Sequence, residues 1–272
     1  MSLCAADPLF LERVLPLVDY LEVDPEVVAE LHGGRPRIQP RALELVAEAA
    51  RRVPIIVHGT GLSIGSHGGY SDAYLRLLDE LLTVATPAWH SEHLGYTEVD
   101  GEFLGTMLTL PRTRQALDMV CERVADIQAR YPFPFLLENI IRLLPDERAE
   151  YSEAGFLNAI VRSTGCGLLL DIYNLECDAH NNGFDIPRFL DELDLDAVRE
   201  FHLACGQESD GLLLDVHIHE TRDCTLSLAR DVGARAPRLA CVNFELLKDA
   251  LLWMGLDGLE QELRRLRGAL LS

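Results

Sequence analysis

The sequence predicts a single (β/α)8 TIM barrel spanning residues 1–272, and three observations carry the prediction. Short apolar runs alternate with segments of helical period from one end of the chain to the other. No linker rich in Pro, Gly or Ser interrupts the alternation, and no fixed-period repeat or low-complexity tract competes with it. From the second run to the eighth, each run closes on a His, Asp or Glu. Barrel strands present functional groups in that way, at the C-terminal mouth.

The elements follow in order. An apolar-periodic segment, Leu9 to Leu15, precedes the first expected strand, Val18 to Val23, which ends near Glu22. Helical spacing from Ile38 to Arg52, with Pro40 suited to a first turn, gives a helix. PIIVHG is strand two, ending on His58. The loop Gly59 to Ser66 is glycine-rich but lacks the following Lys-Ser/Thr of a phosphate loop. Ser71 caps a helix reaching about Thr83, and strand three covers Ala88 to Leu94, with WHSEHL inside it. The clearest helical period runs from Thr113 to Arg130 and leads to FLLEN, strand four, ending on Glu138. A helix from Ser152 stops at Gly165. Strand five is Leu168 to Asp171, followed by a polar segment carrying Asn174, His180, Asn181, Asn182 and Asp185. REFHLA with His202 is strand six, and LLLDVH with Asp215 and His217 is a short strand seven. A helix from about Arg222 to Ala234, strand eight (LACVNFEL, ending on Glu245) and a helix from Leu256 to Leu270 complete the chain. One connection fits poorly. Only Ala204 to Leu212 separate strands six and seven, too few residues for a crossover helix.

Composition narrows the function. A chain of this length buries roughly three quarters of its unfolded surface and needs no staples. The net charge of −20 would repel a nucleic-acid backbone. Seven cysteines (Cys4, Cys121, Cys166, Cys177, Cys205, Cys224, Cys241), odd in number and without a Cys-x-x-Cys pair, read as reduced cytoplasmic usage. The N-terminus MSLCAADPLFLERV lacks the basic and apolar regions of a signal peptide, and no apolar run is long enough for a membrane span. Lys248 is the only lysine, which disfavours Schiff-base or lysine-base chemistry.

The strand-end residues are His58, His93, Glu138, Asp171, His202, Asp215, His217 and Glu245. Mixed imidazole and carboxylate ligands suit iron, manganese or zinc, and eight of them exceed one tetrahedral zinc. Two or three metals sharing a bridging carboxylate such as Glu138 would use them. Each residue alone has a plainer reading: a hydrogen-bonded structural histidine, or a carboxylate capping a helix. The joint pattern is what favours metal. Glu22 reads as a carboxylate orienting a ligand histidine. His180 and Asn182 admit loop structure or substrate contact, His32 and His67 read as solvated, and His90 and His219 have no assigned role.

The series resembles the metal site of xylose-isomerase-like barrels, including the trinuclear zinc apurinic endonucleases, except that Asn174 stands where those have histidine. HGTGLSIGS (His58 to Ser66), SEHL (Ser91 to Leu94), LLEN (Leu136 to Asn139), LLLDIYN with NNGFD, FHLA and DVH together are similar to another family. That family is the multinuclear non-haem iron-dependent oxidative enzymes, long catalogued as a domain of unknown function. The resemblance covers about Val18 to Glu245. This chain departs at Asn181-Asn182-Gly183-Phe184-Asp185 and at Ile218-His219-Glu220, where the family commonly has Asn-His-Gly-x-Asp and Asp-His-Pro. Both departures lie in loops that bear on substrate identity more than on metal.

The resemblance implies an oxidase or oxygenase with two to three irons, acting with dioxygen on cysteines of a ribosomally made precursor peptide. A separate protein often recruits the peptide. It places the irons on His58, His93, Glu138, Asp171, Asn174, His202, Asp215, His217 and Glu245. Glu138, Asp171 and His202 become the catalytic set, and His180 and Asn182 the substrate-binding one. The rival readings are a zinc- or manganese-dependent isomerase or phosphoester hydrolase on the same barrel, and a metal- or peptide-binding scaffold without turnover.

Overall fold

The computed structural model describes residues 1–3, 7–33, 35–99 and 102–270. Seven parallel strands form one sheet: β1 (Leu21–Val23), β2 (Ile55–Gly59), β3 (His90–His93), β4 (Phe135–Glu138), β5 (Gly167–Asp171), β6 (Val198–Leu203) and β7 (Cys241–Phe244). Their spatial order is their sequence order, each pairing in parallel with the next. The gap between β7 and β1 is spanned by the extended residues Met1–Leu3. Ser2 N–H donates to Phe244 O at 3.3 Å, Leu3 N–H to Glu22 O at 2.8 Å, and Glu22 N–H to Met1 O at 3.0 Å. Backbone groups that would otherwise sit on two exposed sheet edges are thereby paired.

Helices cover the outside: α1 (Pro8–Val14), α2 (Pro40–Ala50), α3 (Asp72–Leu81), α4 (Arg114–Arg130), α5 (Glu153–Thr164), α6 (Ile172–Asn182), α7 (Ile186–Glu192), α8 (Asp223–Gly233) and α9 (Lys248–Leu270). Their starts follow local chemistry. Ser71, Thr113 and Ser152 accept from Tyr74, Ala116 and Gly155 N–H, and Pro40 opens α2. Gly165, at φ 71°, ends α5 as expected from the sequence.

Strand alternation divides the side chains into two sets. Ile55, Val57, Phe135, Leu137, Leu168, Leu170, Phe201 and Leu203 belong to the main apolar core shared with the helices. Ile56, Trp89, Leu136 and Leu169 form a separate apolar plug inside the barrel. Two residues further along the same faces stand His58, Ser91, Glu138 and Asp171. The plug is therefore the floor on which the polar mouth rests.

Four expectations need correction. LLLDVH is not a barrel strand: Leu212–Leu214 pairs antiparallel with Gln207–Ser209 in a hairpin. Asp210 and Gly211 both have positive φ (51° and 79°), the geometry of a two-residue hairpin turn. That Asp-Gly pair was the sequence signal, and it removes the difficulty of the short connection. Second, the polar segment after Asp171 is helix α6, followed by α7. Third, α9 begins at Lys248 and is broken at Gly255 (φ 68°, ψ 167°), so the helix expected from Leu256 is its second part. Fourth, two further hairpins, Ala29–His32 with Arg35–Ile38 and Gly95–Val99 with Glu102–Thr109, rise from the loops after β1 and β3.

Leu169 is 1% exposed and central to the plug. Leu169→Ala should cost about 2–5 kcal/mol, read as a lower urea midpoint at unchanged slope. A loss below about 1 kcal/mol would show that the floor of the barrel is not tightly packed.

Candidate metal centre

Every strand from β2 to β7 delivers a polar group to the mouth. His58, His93, Glu138 and Asp171 stand at the ends of β2 to β5, His202 near the end of β6, and Glu245 directly after β7. Among the described residues three sets of ligand-capable groups result, Glu22–His58–His202, His58–His93–Glu138 and Glu138–Asp171–His202–Glu245, within each of which donor atoms lie no more than 4.8 Å apart. Glu138 belongs to the last two. Its Oε2 is 3.3 Å from Nε2 of His58 and of His93, and its Oε1 is 3.7 Å from Nδ1 of His202. Glu245 Oε2 lies 3.1 Å from His202 Nδ1 and 3.5 Å from His217 Nδ1. Asp215 Oδ1 approaches His217 Nε2 at 2.5 Å on the segment after the hairpin. The histidine rings crowd together, with His58 centred 4.7 Å from His93 and 4.8 Å from His202.

A second layer aims these groups. Ser91 Oγ donates to Val57 O at 3.3 Å and so accepts from His58 Nδ1 at 3.0 Å, leaving His58 Nε2 as the free lone pair. His93 Nδ1 donates to Gly59 O at 3.0 Å, with the same effect. His202 Nε2 meets Glu22 Oε2 at 3.0 Å, and Glu22 Oε1 is held by Ser2 Oγ at 2.7 Å and Asn243 Nδ2 at 2.6 Å. Asp171 has two jobs: Oδ1 caps α6 by accepting from Asn174 N–H at 2.6 Å, and Oδ2 has no partner. Asn139 clasps both backbone groups of Asp171, at 2.8 and 3.1 Å, and its own carbonyl accepts from Asn174 Nδ2. Of these, sequence reading named Glu22. Ser91 and Asn243 were findable as inward positions alternating with His93 and with Cys241 or Glu245.

Seven buried polar atoms at the mouth lack a well-formed hydrogen bond, although some face an ion-pair neighbour: His58 Nε2, Glu138 Oε2, Asp171 Oδ2, Asn174 Oδ1, His202 Nδ1, Asp215 Oδ1 and His217 Nε2. An unpaired buried group costs about 1–3 kcal/mol. Cations bound among them remove that cost. The donors are nitrogen and oxygen with no thiolate, a set that fits iron, manganese or zinc.

The charges agree. Burial, then the neighbouring His93 and His202, push His58 well below its usual value, so the ring is neutral and free to ligate. Burial raises Glu138 well above the carboxylate range, against the pull of His202. Burial opposes it, yet His202 and His217 hold Glu245 well below that range.

The two substrate-binding candidates stand on α6: His180 Nε2 meets Gly211 O at 3.0 Å, and Asn182 Nδ2 donates to Arg142 O and Asp178 Oδ1. His32, His67 and His219 are exposed. His90 faces away from the mouth, its Nε2 2.8 Å from Tyr74 Oη. The described cysteines are free, and Cys4 lies outside the described residues.

Residues 6–265 match the family model of the RiPP precursor modification enzyme MbnB/TglH/ChrH. The chain belongs to that family. Its enzymes act on ribosomally made precursor peptides, and this is the family whose motifs the sequence resembles. A UPF0276 protein of Paraburkholderia phytofirmans is 37% identical over 215 residues, 77% of this chain and 69% of that one. Another, of Caulobacter vibrioides, is 34% identical over 226 residues, 83% and 78% of the two chains. Among solved structures, an L-ribulose 3-epimerase superposes with a TM-score of 0.58 at 14% identity, covering 97% of this chain and 90% of that one. The IOLI protein, solved with a bound zinc atom, gives 0.58 at 15%, covering 96% and 92%. At such identities the likeness establishes the xylose-isomerase-like barrel alone. No helix among the described residues is long and apolar enough to cross a membrane.

The site's pH behaviour is testable. Asp171 rises from 3.8 to about 8, through burial and then the charges of Asp215 and Glu245. His217 rises from 6.5 to about 10 because Glu245 and Asp215 outweigh its burial. A proton held more tightly in the folded chain stabilises it at low pH, and that contribution is lost as pH climbs through the folded value. Metal-free protein should lose thermal stability from about pH 4 to about pH 10. Metal binding needs both groups deprotonated and strengthens over the same range. The difference in Tm between metal-loaded and metal-free protein should therefore widen with pH. A constant difference would remove Asp171 and His217 from the ligand set.

Proposed function

We propose that this chain is a multinuclear non-haem iron-dependent oxidase or oxygenase that modifies cysteine residues of a ribosomally synthesised precursor peptide with dioxygen. The observation that carries the reading is Glu138, one carboxylate shared by two ligand groups, inside a barrel of a peptide-modifying family. His58, His93 and Glu138 would hold one iron. Glu138, Asp171, His202 and Glu245 would hold a second, and Asp215 and His217, with Asn174 nearby, complete the set. Ferrous iron with open coordination positions supplies electrons to dioxygen and a seat for a thiolate.

The chain's own residues grade that site from closed to open. The His58, Glu138 and His202 side chains are 3%, 1% and 0% exposed, whereas His93, His217 and Asp215 are 18%, 18% and 25% exposed. A peptide thiol thus arrives over the open rim of His93, Asp215 and His217, and the deeper groups stay shielded from water. Shielding strengthens every charge interaction there and suppresses side reactions. Glu22 fixes the His202 ring, and Ser91 fixes His58, so the free nitrogens are aimed before metal or substrate arrives. Asp171 holds α6 by its cap while presenting its second oxygen.

Metal content per chain after anaerobic purification is the deciding measurement, followed by mass analysis of a cysteine-bearing precursor peptide exposed to enzyme and dioxygen. Two to three irons per chain and a dioxygen-dependent mass change on cysteine are expected. Zinc or manganese at that stoichiometry with no iron would shift the function to an isomerase or hydrolase. Metal held without turnover would leave a binding scaffold. Glu138→Gln should lower metal content, not activity alone, and full loading would end its bridging role. Asp215→Ala and His217→Ala should each remove about one metal per chain.

A further inference from the structure

The Asp215–His217 pair is carried by a loop and not by a barrel strand. It follows the hairpin Gln207–Ser209/Leu212–Leu214, which pairs with no strand of the barrel. His217 has φ 43°, a left-handed conformation that a non-glycine residue adopts only when its surroundings hold it there. The hairpin's anchors are specific. At the base, Cys205 O accepts from Ile218 N–H and His219 N–H, and His217 O accepts from Leu247 N–H. Gly206 lies so close to the hairpin that a Cβ there would overlap Leu214 O.

At the far end, helix α6 takes hold. Asn181 Nδ2 donates to Leu213 O at 2.8 Å, and Asn181 Oδ1 accepts from Leu213 N–H at 2.8 Å. The side-chain amide thus pairs with Leu213 as a neighbouring strand would. His180 Nε2 meets Gly211 O, and Tyr173 Oη donates to Leu214 O at 3.4 Å. The same helix begins at Asp171 and carries Asn174 in its first turn. One helix therefore touches the deep ligand set at its N-terminus and the hairpin at its C-terminus.

We infer that Asn181 is a positioning residue for the metal centre, with α6 as the strut that aligns the Asp215–His217 pair with the strand-delivered ligands. The inference rests on the metal-centre reading above. It assigns Asn181, which precedes the position (Asn182) where this chain departs from the family's commoner sequence, a role in building the outer metal position. Loss of the clasp frees Leu213 and lets the Asp215–His217 segment drift. The groups on the barrel strands keep their own second layer and stay in place.

The test compares Asn181→Leu, Asn181→Asp and Asp215→Ala with the parent protein, titrating ferrous iron into metal-free protein under argon. Hydrogen exchange is followed in parallel. Asp215→Ala reports on the metal-centre reading itself, and its unchanged stoichiometry would overturn that reading. If Asp215→Ala loses about one metal, Asn181→Leu should weaken that same metal at least tenfold while the others bind as before. The double variant Asn181→Leu/Asp215→Ala should lose no more metal than Asp215→Ala alone. Leu213 N–H should exchange faster in Asn181→Leu, with β2 to β6 protected as in the parent. Asn181→Asp, which keeps the acceptor but sets a carboxylate against Leu213 O, should fall between parent and Asn181→Leu. Should Asn181→Leu fail to fold, Asn181→Asp carries the same comparison. Full affinity at the outer position in the folded variant, or uniform loss at all positions, would overturn the inference.

Discussion

The barrel buries more polar atoms than it can pair. Glu138, His58, His202 and Asp171 sit at 0–2% exposure with donor or acceptor atoms left open. A protein interior does not tolerate such a cluster without return, because each open group forfeits the hydration it had in the unfolded chain. Cations are the partners whose charge and ligand number answer the deficit. The rest of the mouth is arranged around that need, with Glu138 in two of the three ligand groups.

Holding such a cluster requires rigidity beneath and behind it. Beneath is the apolar plug of Ile56, Trp89, Leu136 and Leu169, which fixes the strand faces from which the ligands rise. Behind are hydrogen bonds that use up the atoms not needed for metal: Ser91 on His58, Gly59 O on His93, Glu22 on His202, and Asn139 across β4 and β5. Each leaves one aimed lone pair. Glu22 is in turn held by Ser2 and Asn243, so the segment that spans the gap between β7 and β1 also braces the centre.

The centre is asymmetric, and the asymmetry matches the proposed chemistry. His58, Glu138 and His202 are sealed, while His93 and the loop-borne Asp215–His217 pair are partly open. A peptide substrate needs such an open side, and an oxidising centre needs the sealed one. The loop's freedom is limited by contacts from α6 and from the segment before α9, not by the sheet.

The sequence by itself determined the barrel, the polar groups at its strand ends and the family. Each of those is encoded locally: a two-residue alternation puts apolar plug and polar ligand on one face, and a helical period marks the covering elements. Thus His58, His93, Glu138, Asp171 and His202 were legible one strand at a time. The tertiary structure decided what period cannot encode. It replaced the expected seventh strand by a hairpin, and it gave Asp171 a capping role together with an open oxygen. It set His180 and Asn182 against loop backbone, and it joined Asn181 to Leu213 across 32 residues. Such contacts pair a side chain with distant backbone, so neither partner's neighbours in the sequence reveal them.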